Sequence, residues 1–366
     1  MNIVVLIYLV VCIILLIFDL LFLGVKGMNN QRFYPKMPKF EKMVEEEIAN
    51  REKENGFSES FQTTLTEKLG KIKYLIALQS VLERNPQAGE YFKPYIFACM
   101  GAYEKRPDYE QAYYAYVVST LDYKDVSVPK DFAAEFMKLL DSKSLYTFFN
   151  TINAVYKFAD MNLLLTAVNK IDERAGFYHK KLFVDGMLQA GVDKKTFGEK
   201  LMERFWGYSD FTKSCILDYL RFAGVEASDF CMNLIHTEDQ NTEIKYAALR
   251  YFIKHPSKVS KDYFMDILKN KEAVWIEEML AIQGLSSYNE PEVHALIKEK
   301  ITSPNWYVRV NTADYLKKNG LEKDEIAQII ALKDKYTNEI LRYQYQNDEE
   351  MSAYITEMIN KEEEEK

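Results

Sequence analysis

Apolar residues recur in this chain with a stride of 32 positions, and that stride limits the possible fold more than any other feature. Val308, Ile276, Ile244, Thr212, Lys180 and Phe148 mark equivalent places. Four residues further on stand Thr312, Leu280, Ala248, Ile216, Val184 and Ile152. Five further on stand Ala313, Ala281, Leu249, Leu217, Asp185 and Asn153. Eight further on stand Leu316, Gly284, Phe252, Leu220, Leu188 and Tyr156. Steps of four, five and eight share one face of a helix, so each unit opens with a helix whose buried stripe has a fixed place. A second helix follows in each unit, visible as Phe197/Leu201/Phe205, Phe230/Leu234, Phe264/Ile267/Leu268, Val293/Leu296/Ile297 and Ile326/Ile329/Ile330. The breaks carry turn chemistry: Gly191, Gly224, His255-Pro256, Asn289-Glu290-Pro291 and Asn319-Gly320. Two helices in 32 residues, repeated without insertion, predict a helix-pair solenoid.

Composition agrees. Hydrophobic residues make up 48% of 366, ample for a continuous core, while 14 glycines and 9 prolines are too few for the many tight turns of an all-β chain. The formal charge of −8 lacks the basic footprint of a nucleic-acid binder. Cys12, Cys99, Cys215 and Cys231 show no CxxC spacing, which suits a reducing compartment.

Residues 3–25 form an apolar run with a single charge, Asp19. As a helix the run is about 34 Å long, enough to cross a bilayer. Only Asn2 separates it from Met1, and neither a basic leader nor a small-residue cleavage site accompanies it, so the expectation is an uncleaved transmembrane anchor over 1–25. Lys26, Arg32, Lys36 and Lys39 follow the span with no acid among them, which orients the N-terminus outside and the rest in the cytoplasm, at the cell membrane. A carboxylate in the span costs about 2.5–3.5 kcal/mol on insertion scales. Asp19 either snorkels toward the cytoplasmic end or contacts a polar group on a partner's helix.

Residues 26–56 read as a juxtamembrane connector, with a short helix marked by Phe40, Val44 and Ile48 and rich enough in glutamate to suggest a solvated spacer. Between Phe57 and 144, Leu65, Leu69, Ile72, Ile76 and Leu82 form one stripe and Tyr109, Tyr113 and Tyr116 another, which suggests less regular repeats. Residues 336–366 read as a C-terminal cap, with Ile340, Tyr343, Ile355 and Ile359 covering the last apolar face before an acidic tail.

The segment Ser303–Leu321 (SPNWYVRVNTADYLKKNGL) closely resembles a HEAT repeat: an aliphatic-basic pair, small residues one turn on, Leu eight after the aliphatic, then Gly. Asn241–Phe252 (NTEIKYAALRYF) resembles it next best, and the unit length is similar to that of compact HEAT units in bacterial proteins. The resemblance covers 145–335 well and 57–144 by continuity. It implies an all-α fold: a single N-terminal transmembrane helix, then a right-handed α-α superhelical, armadillo-like solenoid. Tetratricopeptide repeats have a different period, and their W-x2-L-G-x2-Y pattern is absent here.

One place after each repeat anchor stand Arg309, Glu277, Lys245, Lys213, Lys181 and Phe149. Stacked repeats turn such a position into a column, here mostly basic. The resemblance implies that this basic residue bridges to an Asp six residues earlier; Asp239 fits for Lys245, whereas Ser303 and Gly207 do not fit for Arg309 and Lys213. Asp19, Lys181, Lys213, Lys245 and Arg309 are therefore the candidate partner contacts, toward an acidic or phosphorylated surface in the case of the basic column. Tyr315, Tyr251 and Tyr219 share another column, better suited to packing than to base stacking given the acidic charge. Cys215, Cys231 and His236 are the only close trio with metal-ligand chemistry, and Cys215 falls in a core slot. No P-loop, GxGxxG, HExxH or nucleophile motif occurs.

The expectation is a membrane-anchored scaffold, without cofactor, metal, nucleic acid or catalytic residues, that binds and positions or regulates a membrane-associated protein partner. The alternative is a HEAT-like enzyme or dedicated enzyme accessory factor, lyase-like or an envelope-synthesis helper, for which a fragment 57–366 carrying a chromophore or holding DNA would speak.

Overall fold

The computed structural model describes residues 11–20, 36–54, 56–123, 128–174, 178–238 and 240–364. Among these residues helices dominate and no strand occurs. Residues 11–20 form helix α1, whose side chains are exposed. Among the described residues no helix is long and apolar enough to cross a membrane; the remainder of the expected span, 3–10 and 21–25, lies outside them.

The chain divides into two compact units. The first comprises 1–170 with 189–192, the second 171–188 with 193–366. Unit 1 contains α2 (Met37–Glu54), α3 (Glu59–Lys68), α4 (Ile72–Arg84), α5 (Gly89–Ala98), α6 (Met100–Tyr103), α7 (Asp108–Thr120), α8 (Lys130–Met137), α9 (Leu145–Lys157) and most of α10 (Met161–Asp172). Helix α2 is not a solvated spacer. It packs on α4 through Phe40 and Val44, both buried, with the Phe40 and Tyr74 rings 5.0 Å apart and Arg84 bonded to Glu41 and Glu45. Glu41 and Glu45 reach Arg84, and Glu47 accepts from the backbone N–H and the hydroxyl of Ser58, so the connector's apolar stripe belongs to the stack. The stripe read across Leu65 to Leu82 spans two helices, broken at Gly70, where a Cβ would sit 3.0 Å from that of Ala102.

Unit 2 contains nearly all of α11 (Lys181–Gln189), and α12 (Lys194–Arg204), α13 (Asp210–Ala223), α14 (Ser228–His236), α15 (Thr242–Lys254), α16 (Lys258–Lys269), α17 (Trp275–Leu285), α18 (Pro291–Lys298), α19 (Trp306–Lys318), α20 (Lys323–Ile330), α21 (Lys335–Tyr345) and α22 (Glu349–Glu364). The first helices of successive pairs, α13, α15, α17, α19 and α21, lie side by side in that order. The repeat register places Ile216, Leu217, Leu220, Ala248, Leu249, Phe252, Leu280, Ala281 and Leu316 in the core, each at most 1% exposed. Burying each leucine, isoleucine or phenylalanine side chain contributes about 1.5–3 kcal/mol.

The register also carries helix starts. Ser209, Asn241 and Asn305 each cap a first helix by accepting a hydrogen bond from a backbone N–H of its opening turn. The equivalent residue of the intervening unit is Ala273, which has no oxygen to offer, and α17 begins without a side-chain cap. Gly224, at φ +70°, closes α13 in the left-handed conformation, and the N–H of Val225 returns to the Leu220 carbonyl. The last pair, α21 and α22, buries Ile340, Ile355 and Ile359, while Tyr343 points to solvent.

Candidate partner-binding surfaces

The basic column does not present a free stripe. Lys245 and Glu277 occupy the same place in consecutive units, and the Lys245 ammonium donates to the Glu277 carboxylate at 2.7 Å in a half-buried pair. Arg309 is 7% exposed. Its guanidinium donates to the Asp334 carboxylate, to the Thr337 hydroxyl at 3.2 Å, and to the backbone carbonyls of Ser303 and Thr302. Its planar face lies 5.5 Å from the Tyr336 ring centroid. The position six residues before Arg309 thus accepts through its backbone carbonyl, and the carboxylate comes from the following unit. Lys213 stands 3.7 Å from Asp210 and 6.0 Å from the Phe205 ring. Lys181 is exposed at the start of α11, and Asp19 is exposed on α1. Asp239 lies outside the described residues.

Tyr219, Tyr251 and Tyr315 are buried, and each hydroxyl donates to a backbone carbonyl in the turn of the preceding pair: Lys194 at 3.0 Å, Val225 at 3.0 Å and Tyr288 at 3.1 Å. The Tyr251 oxygen also accepts from the Ala227 N–H at 2.9 Å. The column is a row of ties between repeats. Burial pushes the Cys99 and Cys215 thiols up to about 12, and it raises Cys231 as well. Thiols held so far from ionisation are poor nucleophiles and poor metal ligands at neutral pH. Among the described residues no group of His, Cys, Asp and Glu side chains is placed to hold a metal ion.

The most exposed aromatic surface of unit 1 lies on the stripe read as Tyr109, Tyr113 and Tyr116. The face of α7 that packs inward instead carries Ala112, Tyr114, Ala115, Val117 and Val118. Tyr109 is 68% exposed and Tyr146, from the first turn of α9, is 75% exposed. Two polar side chains of α9 hold the helices in register: the Thr147 hydroxyl donates to the Asp108 carbonyl at 3.1 Å, and the Asn150 amide to the Ala112 carbonyl at 2.9 Å. Ser144 caps α9 and fixes where its first turn begins. Tyr109, Tyr113, Tyr116 and Tyr146 thereby floor an open cavity of about 660 Å³. The Tyr113 and Tyr116 rings lie 5.9 Å apart. Burial, then the charge of Glu83, pushes the Tyr113 phenol up to about 12. The Tyr109 hydroxyl donates to Glu110 at 3.3 Å, and that carboxylate raises its pKa.

Tyr116 also borders a second cavity, of about 550 Å³, between α4 and α7. Its walls carry Glu83, Glu90 and Asp122. Neither cavity has a Lys or Arg in its lining.

Unit 2 exposes a smaller aromatic row where its first helices begin. The Trp275 and Tyr307 rings stack with centroids 5.6 Å apart, flanked by exposed Val274 and Trp306. Sequence reasoning took Tyr109, Tyr113 and Tyr116 for a repeat stripe and passed over the row at Trp275 and Tyr307, because tyrosine and tryptophan satisfy an apolar helical pattern whether they face the core or solvent. The available signal was competition: on α7 the small residues Ala112 and Ala115 mark a rival face on which helices approach closely.

No protein-family model matches this chain, and no curated protein matches it.

Proposed function

We propose that this protein is a membrane-anchored scaffold of HEAT-like helix pairs that binds and positions or regulates a protein partner at the cytoplasmic face of the membrane. The carrying observation is the tyrosine-floored groove of α7 and α9. A monomeric helical stack buries its large aromatics, and a cluster of exposed ones around an open concavity favours contact with another macromolecule. Tyrosines are well suited to this, since each combines a large apolar face with a hydroxyl that stays hydrated when the site is empty. The anchor rests on the apolar run 3–25 and its basic flank, and the superhelical arrangement on the repeat stride and its resemblance to HEAT units.

The test is affinity capture from detergent-solubilised membranes followed by mass spectrometry. Full-length protein, the Asp19→Leu variant and a fragment 28–366 serve as baits. The expected result is one membrane protein retained by all three. Loss with Asp19→Leu alone places part of the recognition in the membrane segment. Failure of every bait to retain a specific protein removes the scaffold reading.

A further inference from the structure

We propose that the groove of unit 1 receives a short polypeptide segment rich in lysine and arginine, of the kind that membrane proteins carry next to a membrane-spanning helix on its cytoplasmic side. This rests on the scaffold reading and names the chemistry of its partner.

Charge complementarity carries the assignment. The two cavities share Tyr116, and together their walls hold Glu83, Glu90, Asp108 and Asp122 but no basic residue, in a chain with 47 lysines and arginines; Lys138 and Lys143 line a separate cavity on which Asp108 also borders. Glu90 is engaged by Lys93 at 3.2 Å. Glu83 and Asp108 are exposed and have no ion-pair partner among the described residues. Several cations of unit 1 have carboxylates of their own: Arg84 has Glu41 and Glu45, Lys138 has Glu104 and Glu135, and Lys170 has Asp141. The negative charge left over in the groove is thus that of Glu83 and Asp108, since Glu90 is engaged by Lys93 and Asp122 lies in the field of Lys157.

The floor selects the same ligand. A tyrosine ring presents a negative face, and an ammonium or guanidinium within about 6 Å of its centroid is attracted to it. Unit 1 already shows this contact internally, with the Arg51 guanidinium 3.3 Å from the Tyr91 centroid. A segment with basic side chains between leucines or phenylalanines satisfies both the carboxylates and the apolar area. Cytoplasmic flanks of membrane spans are enriched in lysine and arginine, so a chain held at that face meets such segments at high local concentration. An anionic lipid surface is repelled by the same carboxylates.

The experiment measures fluorescence anisotropy of a labelled synthetic peptide of about fifteen residues, lysine and arginine interleaved with leucine and phenylalanine, long enough to cross such a groove. It is titrated with the full-length protein in nonionic detergent. A peptide with glutamate at every basic position is the control. One variant pairs Tyr109→Ser with Tyr146→Ser, another Glu83→Gln with Asp108→Asn. All four side chains are exposed, and continued protection of the Cys99 thiol reports that unit 1 remains folded.

The basic peptide is expected to bind and the acidic one not. Each variant pair is expected to weaken binding about tenfold, and only the carboxylate pair to flatten the salt dependence. Absence of binding by the basic peptide, equal binding of the acidic one, or an affinity unchanged by both variant pairs overturns the proposal. Binding that emerges only after Lys26 and Arg32 are replaced identifies the chain's own basic segment as the occupant and also overturns it. A membrane protein captured equally well by the groove variants leaves the scaffold reading intact and this assignment refuted.

Discussion

Lys245 and Glu277 stand one repeat apart in sequence and are joined by a 2.7 Å ion pair. The stride that organises the hydrophobic core therefore also sets a charge contact between neighbouring helices α15 and α17. Glu277→Lys places two like charges in a half-buried contact and is expected to destabilise unit 2 by about 1–2 kcal/mol. The exchanged pair, Lys245→Glu with Glu277→Lys, is expected to recover most of the loss. A double-mutant cycle, read from the denaturant dependence of Cys215 and Cys231 thiol labelling, checks this. Additive losses show that the two charges do not interact.

Arg309 holds the last repeats together, and its loss should be the most costly of the ladder residues. Arg309→Ala removes the cation paired with Asp334, which keeps only the Thr337 hydroxyl as a side-chain donor, and the side-chain donor of two carbonyls, at an expected cost of about 2–3 kcal/mol, less than for a fully enclosed pair because Asp334 is partly exposed. The pair also predicts acid sensitivity. Burial alone would raise the Asp334 pKa, but the Thr337 hydroxyl and the Arg309 guanidinium outweigh it and hold it below the ordinary aspartate value. A depressed folded-state pKa contributes stability that is complete above the unfolded value of about 3.9 and is lost as pH falls through the folded one. Wild-type protein should therefore lose stability below about pH 4 more steeply than Asp334→Asn. Identical pH profiles would remove Asp334 from the account.

Tyr251 offers a cleaner test of the ties between repeats. Its hydroxyl serves the Ala227 N–H and the Val225 carbonyl at once, in the core. Tyr251→Phe keeps the ring and strands both backbone groups, for an expected loss of about 1–3 kcal/mol. Chemical denaturation of the two proteins measures it. A loss below a few tenths of a kcal/mol means that water replaces the hydroxyl.

Gly284 marks a departure from the repeat pattern. Equivalent places hold Leu316, Phe252 and Leu220, whereas here the ring of Phe264 from α16 fills the space, and a Cβ would fall 2.1 Å from its Cε2 atom. Gly284→Ala is expected to destabilise by about 1–3 kcal/mol through overpacking. Combining it with Phe264→Leu should cost less than the two changes added. Strict additivity in the melting of the three variants would show that the sites do not share this space.

The first helices of the repeats were legible because their buried positions recur with a fixed stride, and Ile216, Ala248 and Leu280 lie in the core as that stride requires. The basic column was legible as a column but not as a surface. Spacing shows that Lys245 and Glu277 align, yet only the packing of α15 on α17 shows that they turn toward each other. Arg309 draws its carboxylate from Asp334, 25 residues away, which no local pattern announces. The tyrosine groove was misread for a different reason. Tyr113 and Tyr114 are adjacent, one facing the groove and the other fully buried, and composition cannot say which face of an aromatic helix closes on its neighbours.

The ties made by Tyr219, Tyr251 and Tyr315 all run backwards, from a helix to the turn of the pair before it. This gives unit 2 a polarity that a sum of equal repeats would lack. Peeling a pair from the C-terminal end removes the hydroxyl that held the previous turn, so each departure loosens what remains. Peeling from the other end leaves behind only a phenol that water can serve. Under mechanical load, or before a protease, the stack should unravel more readily from its C-terminal side, like a row of shingles lifted from the edge that overlaps the rest.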